Sequence, residues 1–192
     1  SFKKAIQINP NFAIAHNNGD FSQSSHRGMG WSIFVSLFYN FINSENFIDY
    51  SNAIRGISIV ISLSSISLMY LLGRKFFDAR YSLILASLFA FEPHLNYNSG
   101  LGLAESFFIL ILISSFYFIL NKNTRTVIIS LALAGIAYWI RLNGFFAFIV
   151  ITVIYFVTLG KSKHAIRNYI IGLSIFLLVI SPVLLDRNEQ FG

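Results

Sequence analysis

Apolar residues in this chain come in long blocks separated by short polar or basic stretches, not in the alternation of strands. Six blocks are long enough to consider as membrane crossings: 53–73, 81–98, 102–120, 126–142, 144–160 and 168–185. A straight helical crossing needs about 20 apolar residues. The first and third blocks meet this easily, while 126–142 and 144–160 are short, as is usual where helices line a cavity or a thinned edge. A seventh apolar stretch, "GWSIFVSLFYNFI" at 30–42, is too short to cross. It predicts an amphipathic or re-entrant helix in the interface, with Trp31 as its anchor. The pattern therefore predicts an all-α fold, a polytopic transmembrane helical bundle of about six spans plus one interfacial helix.

Composition supports this reading. The chain is 55% hydrophobic and only 11% charged, with 21 phenylalanines and a mean hydropathy of +0.65. Soluble domains average about 25% charged residues. With no cysteine present, disulfides and thiolate metal sites are excluded. The chain opens on Ser1 and reads as an internal piece of a longer protein.

The net charge of +6 points to loop asymmetry and not to nucleic acid, because the cations lie in short clusters between apolar blocks. Arg74, Lys75 and Arg80 sit in "GRKFFDAR", Lys122 and Arg125 in "NKNTR", and Lys161, Lys163 and Arg167 in "GKSKHAIRN". These loops fall at alternate turns of the chain and so on one side, which the positive-inside rule makes cytoplasmic. Asp20, Glu45, Asp49, Glu92, Glu105, Asp186 and Glu189 then fall outside, leaving Asp78 inside. The expected organisation is an extracytoplasmic loop over 1–50, a transmembrane helical domain over 51–185, and the start of another outer loop at 186–192.

Arg141, in "YWIRLNGFF", then lies at the outer mouth, where one helix ends and the next begins. Its bland reading is an arginine snorkelling from a helix end; the sharper one is a cation that holds an anionic headgroup. Other polar residues share that side: His16, Asp20, His26 and Arg27 in the first loop, Arg55 near the start of a span, then Glu92, His94, Asn96, Asn98, Glu105 and Asn143. Several have ordinary structural readings. Asp20 follows Gly19 as in a turn. Glu92 precedes Pro93 and marks a helix end, and Glu105 opens the next helix, where the dipole favours a carboxylate. The histidines lack recognised ligand spacing, so no metal is assigned, although a divalent ion stays open. The stretch "AIQINPNFAIAHNNGD" looks like part of a tetratricopeptide repeat, but a solenoid needs about three copies and no second one follows.

The order of these features resembles a family. An outer loop ends in "GMGWSIFVSLFYN"; an arginine opens the span "NAIRGISIVISLSSISLMYLLGRKFFD"; a polar outer turn with a glutamate follows in "FAFEPHLNYNSGLGLAESFFIL"; a later span ends at "YWIRLNGFF". This looks like the membrane domain of GT-C-type glycosyltransferases, a group that includes the protein O-mannosyltransferases and the bacterial aminoarabinose transferases. The resemblance covers about residues 20–185. It implies transfer of a sugar from a polyprenyl-phosphate donor to a hydroxyl acceptor on a protein, lipid or glycan, at the extracytoplasmic face. It also implies that Arg141 binds the donor phosphate, with Arg27 as a second candidate. Glu105, His26 and Asn98 would contact sugar or acceptor, Arg55 would serve in structural pairing, and an aspartate in the first outer loop would act as general base. Asp20 is one candidate for that base; an aspartate upstream of Ser1 is the other.

Two other classes fit parts of the pattern. A secondary transporter would also have short spans, but would show internal repeats and midplane polar groups, where this chain gathers its charges at one face. A non-catalytic membrane subunit that only binds lipid is the third reading.

Overall fold

The computed structural model describes residues 30–39, 46–121, 123–159 and 162–191. Among these, eight helices and no strand occur: α1 (Gly30–Tyr39), α2 (Phe47–Gly73), α3 (Ala79–Ala90), α4 (Pro93–Leu101), α5 (Ala104–Ile119), α6 (Thr124–Ile140), α7 (Gly144–Leu159) and α8 (Lys163–Phe191). The fold is all-α, as the pattern predicts.

The helix ends follow local chemistry. The Asn46 side chain accepts from the Ile48 amide and caps α2, one of the residues best suited to that place. Glu92 accepts from the Leu95 amide, and Pro93 takes the first helical position of α4, where its missing N–H costs nothing. The predicted span 81–98 is therefore corrected: it is two helices, broken at Phe91 and Glu92, because proline disfavours the helical conformation in the residue before it. Helix α4 ends at Gly102, whose φ of 72° is the left-handed conformation that glycine adopts without strain.

Two helices, over Ile48–Gly73 and Lys163–Leu185, are long and apolar enough to cross a membrane. Helices α5, α6 and α7 have 16 or 17 residues, so each rises about 24–26 Å against a hydrocarbon core of roughly 30 Å. Helix α3, with 12 residues, is shorter still.

The interior is apolar, built around Leu131, Ile151, Tyr155 and Phe176, but the surface is apolar too, and serines are buried at the helix contacts. Val60, Leu63, Leu83, Leu88, Val157 and Leu178 are exposed on the helix flanks, whereas Ser58, Ser62, Ser65, Ser82, Ser106, Ser115 and Ser130 are buried. An apolar coat over small, polar contact surfaces is what packing in lipid favours, since lipid offers no hydrophobic drive between helices but does reward close approach and interhelical hydrogen bonds. Helices α5 and α6 show the device directly: Ser115 donates to the Ser130 carbonyl and Ser130 to the Ser115 carbonyl, at 2.7 and 2.8 Å. Helices α6 and α8 approach at Gly135 and Gly172, which leave room for Val179 and Leu131. Trp139 Nε1 donates to the Val179 carbonyl at 2.7 Å. Within α8, Pro182 cannot donate to the Leu178 carbonyl, and that oxygen accepts from the Ser181 hydroxyl instead.

The connectors sort into two ends. At one, Lys75 donates to Asn121 and lies over the Tyr117 ring, and Asn168 donates to Thr124. The connectors after α2 and α5 and the start of α8, which carry the basic clusters, thus meet. At the other end gather α1, the starts of α2 and α5, and the α6–α7 turn.

Candidate functional site

The second end is built on close backbone approaches. A Cβ on Gly144 would lie 2.5 Å from the Ala137 carbonyl oxygen and the Tyr138 nitrogen, so only glycine lets α7 leave this close to α6. The turn is drawn tight by the Gly144 amide donating to the Arg141 carbonyl at 2.8 Å. Gly30 at the start of α1 meets the backbone of Trp139 and Ile140, where a Cβ would be 2.9 Å away. Gly102 packs on α2, with its Cβ position 2.8 Å from Ile54 and 3.4 Å from the Arg55 nitrogen.

Aromatic packing locks α1 onto this end. Phe34 stacks on Phe107 with ring centroids 4.3 Å apart, and Trp31 lies 5.8 Å from the same ring. Trp31 thus holds α1 against the bundle. A helix is present over 30–39, within the stretch expected to be helical; the rest of that stretch, 40–42, lies outside the described residues.

Arg141 caps α6 in an extended conformation, φ −149° and ψ 137°, which turns its side chain off the helix axis. Its Nη1 donates to Glu105 Oε1 at 3.0 Å. Among the described residues this is the ion pair the side chains form. It joins the end of α6 to the first turn of α5, residues 36 positions apart in sequence. Glu105 also faces the positive end of its own helix. The arginine side chain is 46% exposed and the glutamate 27%, and pairs this open contribute about 0–1 kcal/mol to stability. The pair's importance is therefore positional: it places a guanidinium and a carboxylate together at the mouth of the bundle.

The remaining sequence candidates fall as follows. Arg55 is exposed on α2 beside Gly102 and forms no ion pair with a described residue. Asn98 is buried on α4, and its backbone carbonyl takes the Leu103 amide at the helix end. Asn96 donates to the Ala90 carbonyl and bridges the α3–α4 break, while Glu92 is spent on its cap. His94 and Asn143 are exposed. Asp20, His26, Arg27 and His16 lie outside the described residues. No group of three histidine, aspartate or glutamate side chains converges among the described residues.

Two features escaped sequence reasoning. The Arg141–Glu105 contact is one; the shared outer side of the two residues was its only trace. The other is Ser106, fully buried beside Glu105 with no hydrogen-bond partner for its hydroxyl; a serine in an apolar run gives no warning of this.

A bundle that exposes aliphatic flanks and buries serines between its helices belongs among helical membrane proteins, and this one brings an arginine and a carboxylate together at one end. A family model described as dolichyl-phosphate-mannose-protein mannosyltransferase matches residues 33–185, and the chain belongs to that family. The GT-C resemblance carried by the ordered motifs is thereby borne out, and family membership implies a membrane glycosyltransferase that draws on a polyprenyl-phosphate-linked sugar. The match includes Arg55, Asn98, Glu105 and Arg141. No curated protein and no solved structure matches the chain.

Proposed function

We infer that this chain is the membrane domain, with about six spans, of an enzyme that moves a sugar from a polyprenyl-phosphate donor to a hydroxyl on a protein, lipid or glycan at the extracytoplasmic face. The observation that carries this reading is Arg141, a permanent cation at the end of the bundle opposite the basic connectors. The short helices α5–α7 fit spans beside a cavity or a thinned membrane edge. The positive-inside rule puts the basic connectors in the cytoplasm and Arg141 outside.

In the reaction, a carboxylate base removes the acceptor proton as the hydroxyl attacks the anomeric carbon from the face opposite the leaving group. The C–O bond to the carrier phosphate breaks, and the phosphate departs as an anion. Such a leaving group needs charge stabilisation instead of protonation, and a guanidinium supplies it. Arg141 takes that role, with Arg27 as the second candidate; Asp20 or an aspartate preceding Ser1 is the base. His26 and Asn98 are the sugar or acceptor contacts.

The test is transfer of radiolabelled mannose from a synthetic polyprenyl-phosphate-mannose by the intact protein in proteoliposomes. Label on a hydroxyl of a co-supplied protein, lipid or glycan fraction, with release of polyprenyl phosphate, is the expected result. Movement of the carrier or sugar across the bilayer without transfer would contradict it.

A further inference from the structure

We propose that Glu105 is the positioning residue for Arg141: its carboxylate holds the guanidinium by one edge and aims the other edge at the anion. This deepens the reading above and rests on it, and it gives Glu105 a role other than contact with sugar or acceptor.

The geometry has three parts. First, the contact is single-pronged. Nη1 of Arg141 reaches Oε1 of Glu105 at 3.0 Å, and no other guanidinium hydrogen bond to a described residue forms. A guanidinium carries five N–H donors in a planar fork. With Nη1 engaged, the Nε–Nη2 edge keeps the two parallel donors that match two phosphate oxygens. A side-on bidentate contact through Nε and Nη2 would have consumed that edge.

Second, Arg141 needs holding. It sits in extended backbone just past the last helical residue, and its side chain is half-exposed. A long, open side chain samples many rotamers, and a group that must meet a phosphate in one orientation loses binding for each it samples. The 3.0 Å contact is the one restraint its charged end receives from the described residues.

Third, Glu105 is held firmly enough to serve as the reference point. Its neighbour Ser106 is fully buried and Phe107 nearly so. Phe107 packs against both Phe34 and Trp31 of α1, which also stack on each other. One turn away, Gly102 seats the start of α5 against α2. The first turn of α5 is therefore fixed from two sides, and the carboxylate at its mouth inherits that position.

A carboxylate beside an anion site also repels the anion, so the opposite role is physically available: Glu105 as a competitor that occupies Arg141 until displaced. The two roles predict opposite signs. If Glu105 positions the arginine, its removal weakens donor binding; if it competes, removal strengthens it.

The experiment is steady-state transfer by the intact protein, with donor and acceptor varied separately. The donor is polyprenyl-phosphate-mannose, with farnesyl phosphate as a competing probe of the phosphate site. Glu105→Ala is expected to raise the donor KM and the farnesyl phosphate inhibition constant about tenfold or more, the scale of a misaimed binding group, while the acceptor KM holds. Glu105→Gln keeps an acceptor for Nη1 without the charge, and should fall between wild type and alanine. In an Arg141→Ala background, Glu105→Ala should add nothing, because the residue acts through a side chain already gone. Should Glu105→Ala fail to fold, Glu105→Asp keeps a carboxylate at the helix start but withdraws it by one methylene, and is expected to raise the donor KM in the same way.

A lower donor KM in both the alanine and glutamine variants would overturn the proposal in favour of a competing anion. A rise confined to the acceptor KM would overturn it in favour of acceptor contact. If Arg141→Ala raises the donor KM and Glu105 variants leave it unchanged, positioning fails while the phosphate reading stands. If Arg141→Ala itself leaves the donor KM unchanged, the phosphate reading fails first.

Discussion

Replacing Arg141 by alanine should lower sugar transfer by about 10²–10³-fold, the scale seen when one preorganised donor to a developing anion is removed. The protein should remain folded, since the side chain is half-exposed and its ion pair is worth about 0–1 kcal/mol. Arg141→Lys should restore only part of the activity. Lysine keeps the charge but offers a single ammonium where the guanidinium offers two parallel donors. The measurements are transfer rate and thermal unfolding in the same detergent. Near-wild-type transfer by the alanine variant would remove the phosphate role.

The second large effect is on the fold. Gly144→Ala would drive a methyl group into the backbone of Ala137 and Tyr138, where the distance to the Ala137 oxygen would be 2.5 Å. Backbone cannot rotate aside as a side chain can, so α7 must shift away from α6. Overpacking of this kind costs about 1–3 kcal/mol and occasionally more, and the upper end is expected here. Gly56→Ala on α2 is the control: nothing lies within 4 Å of its Cβ position, and alanine gains up to about 1 kcal/mol over glycine within a helix. Thermal unfolding should therefore fall clearly for Gly144→Ala and hold or rise for Gly56→Ala. Equal melting of the two would mean that α6 and α7 do not meet as described. Transfer should also drop in Gly144→Ala, because the displaced turn carries Arg141.

The elements legible in the sequence were those whose cause is local. Apolar blocks gave the helices, the Glu92–Pro93 pair marked a helix end, and the placing of Glu105 at a helix start followed from the polar turn before it. Treating 81–98 as one span gave hydropathy too much weight: Phe91 and Leu95 continue the apolar run, but the proline decides the backbone. The alternate basic loops also foreshadowed an end of the bundle where Lys75 and Asn121, and Asn168 and Thr124, meet.

The contact between Arg141 and Glu105 was not legible, because 36 residues separate the partners and the register of α5 against α6 decides whether they touch. That register depends on Ser115 facing Ser130, a match with no signature in either helix alone. The glycines were ambiguous for the same reason. Gly56 and Gly144 look alike in a string of letters, yet one faces open space and the other a neighbouring backbone.

The central claim is that the carrier phosphate docks at the end of the bundle that holds Arg141 and Glu105. The most direct test is photolabelling of the intact protein in proteoliposomes with a polyprenyl phosphate bearing a diazirine on its first isoprene unit, followed by peptide mapping. Label in the first turn of α5 or in the turn between α6 and α7, competed away by unlabelled carrier, is the predicted result. Label concentrated at 74–80, 121–125 or 162–168, the opposite end, would contradict the account.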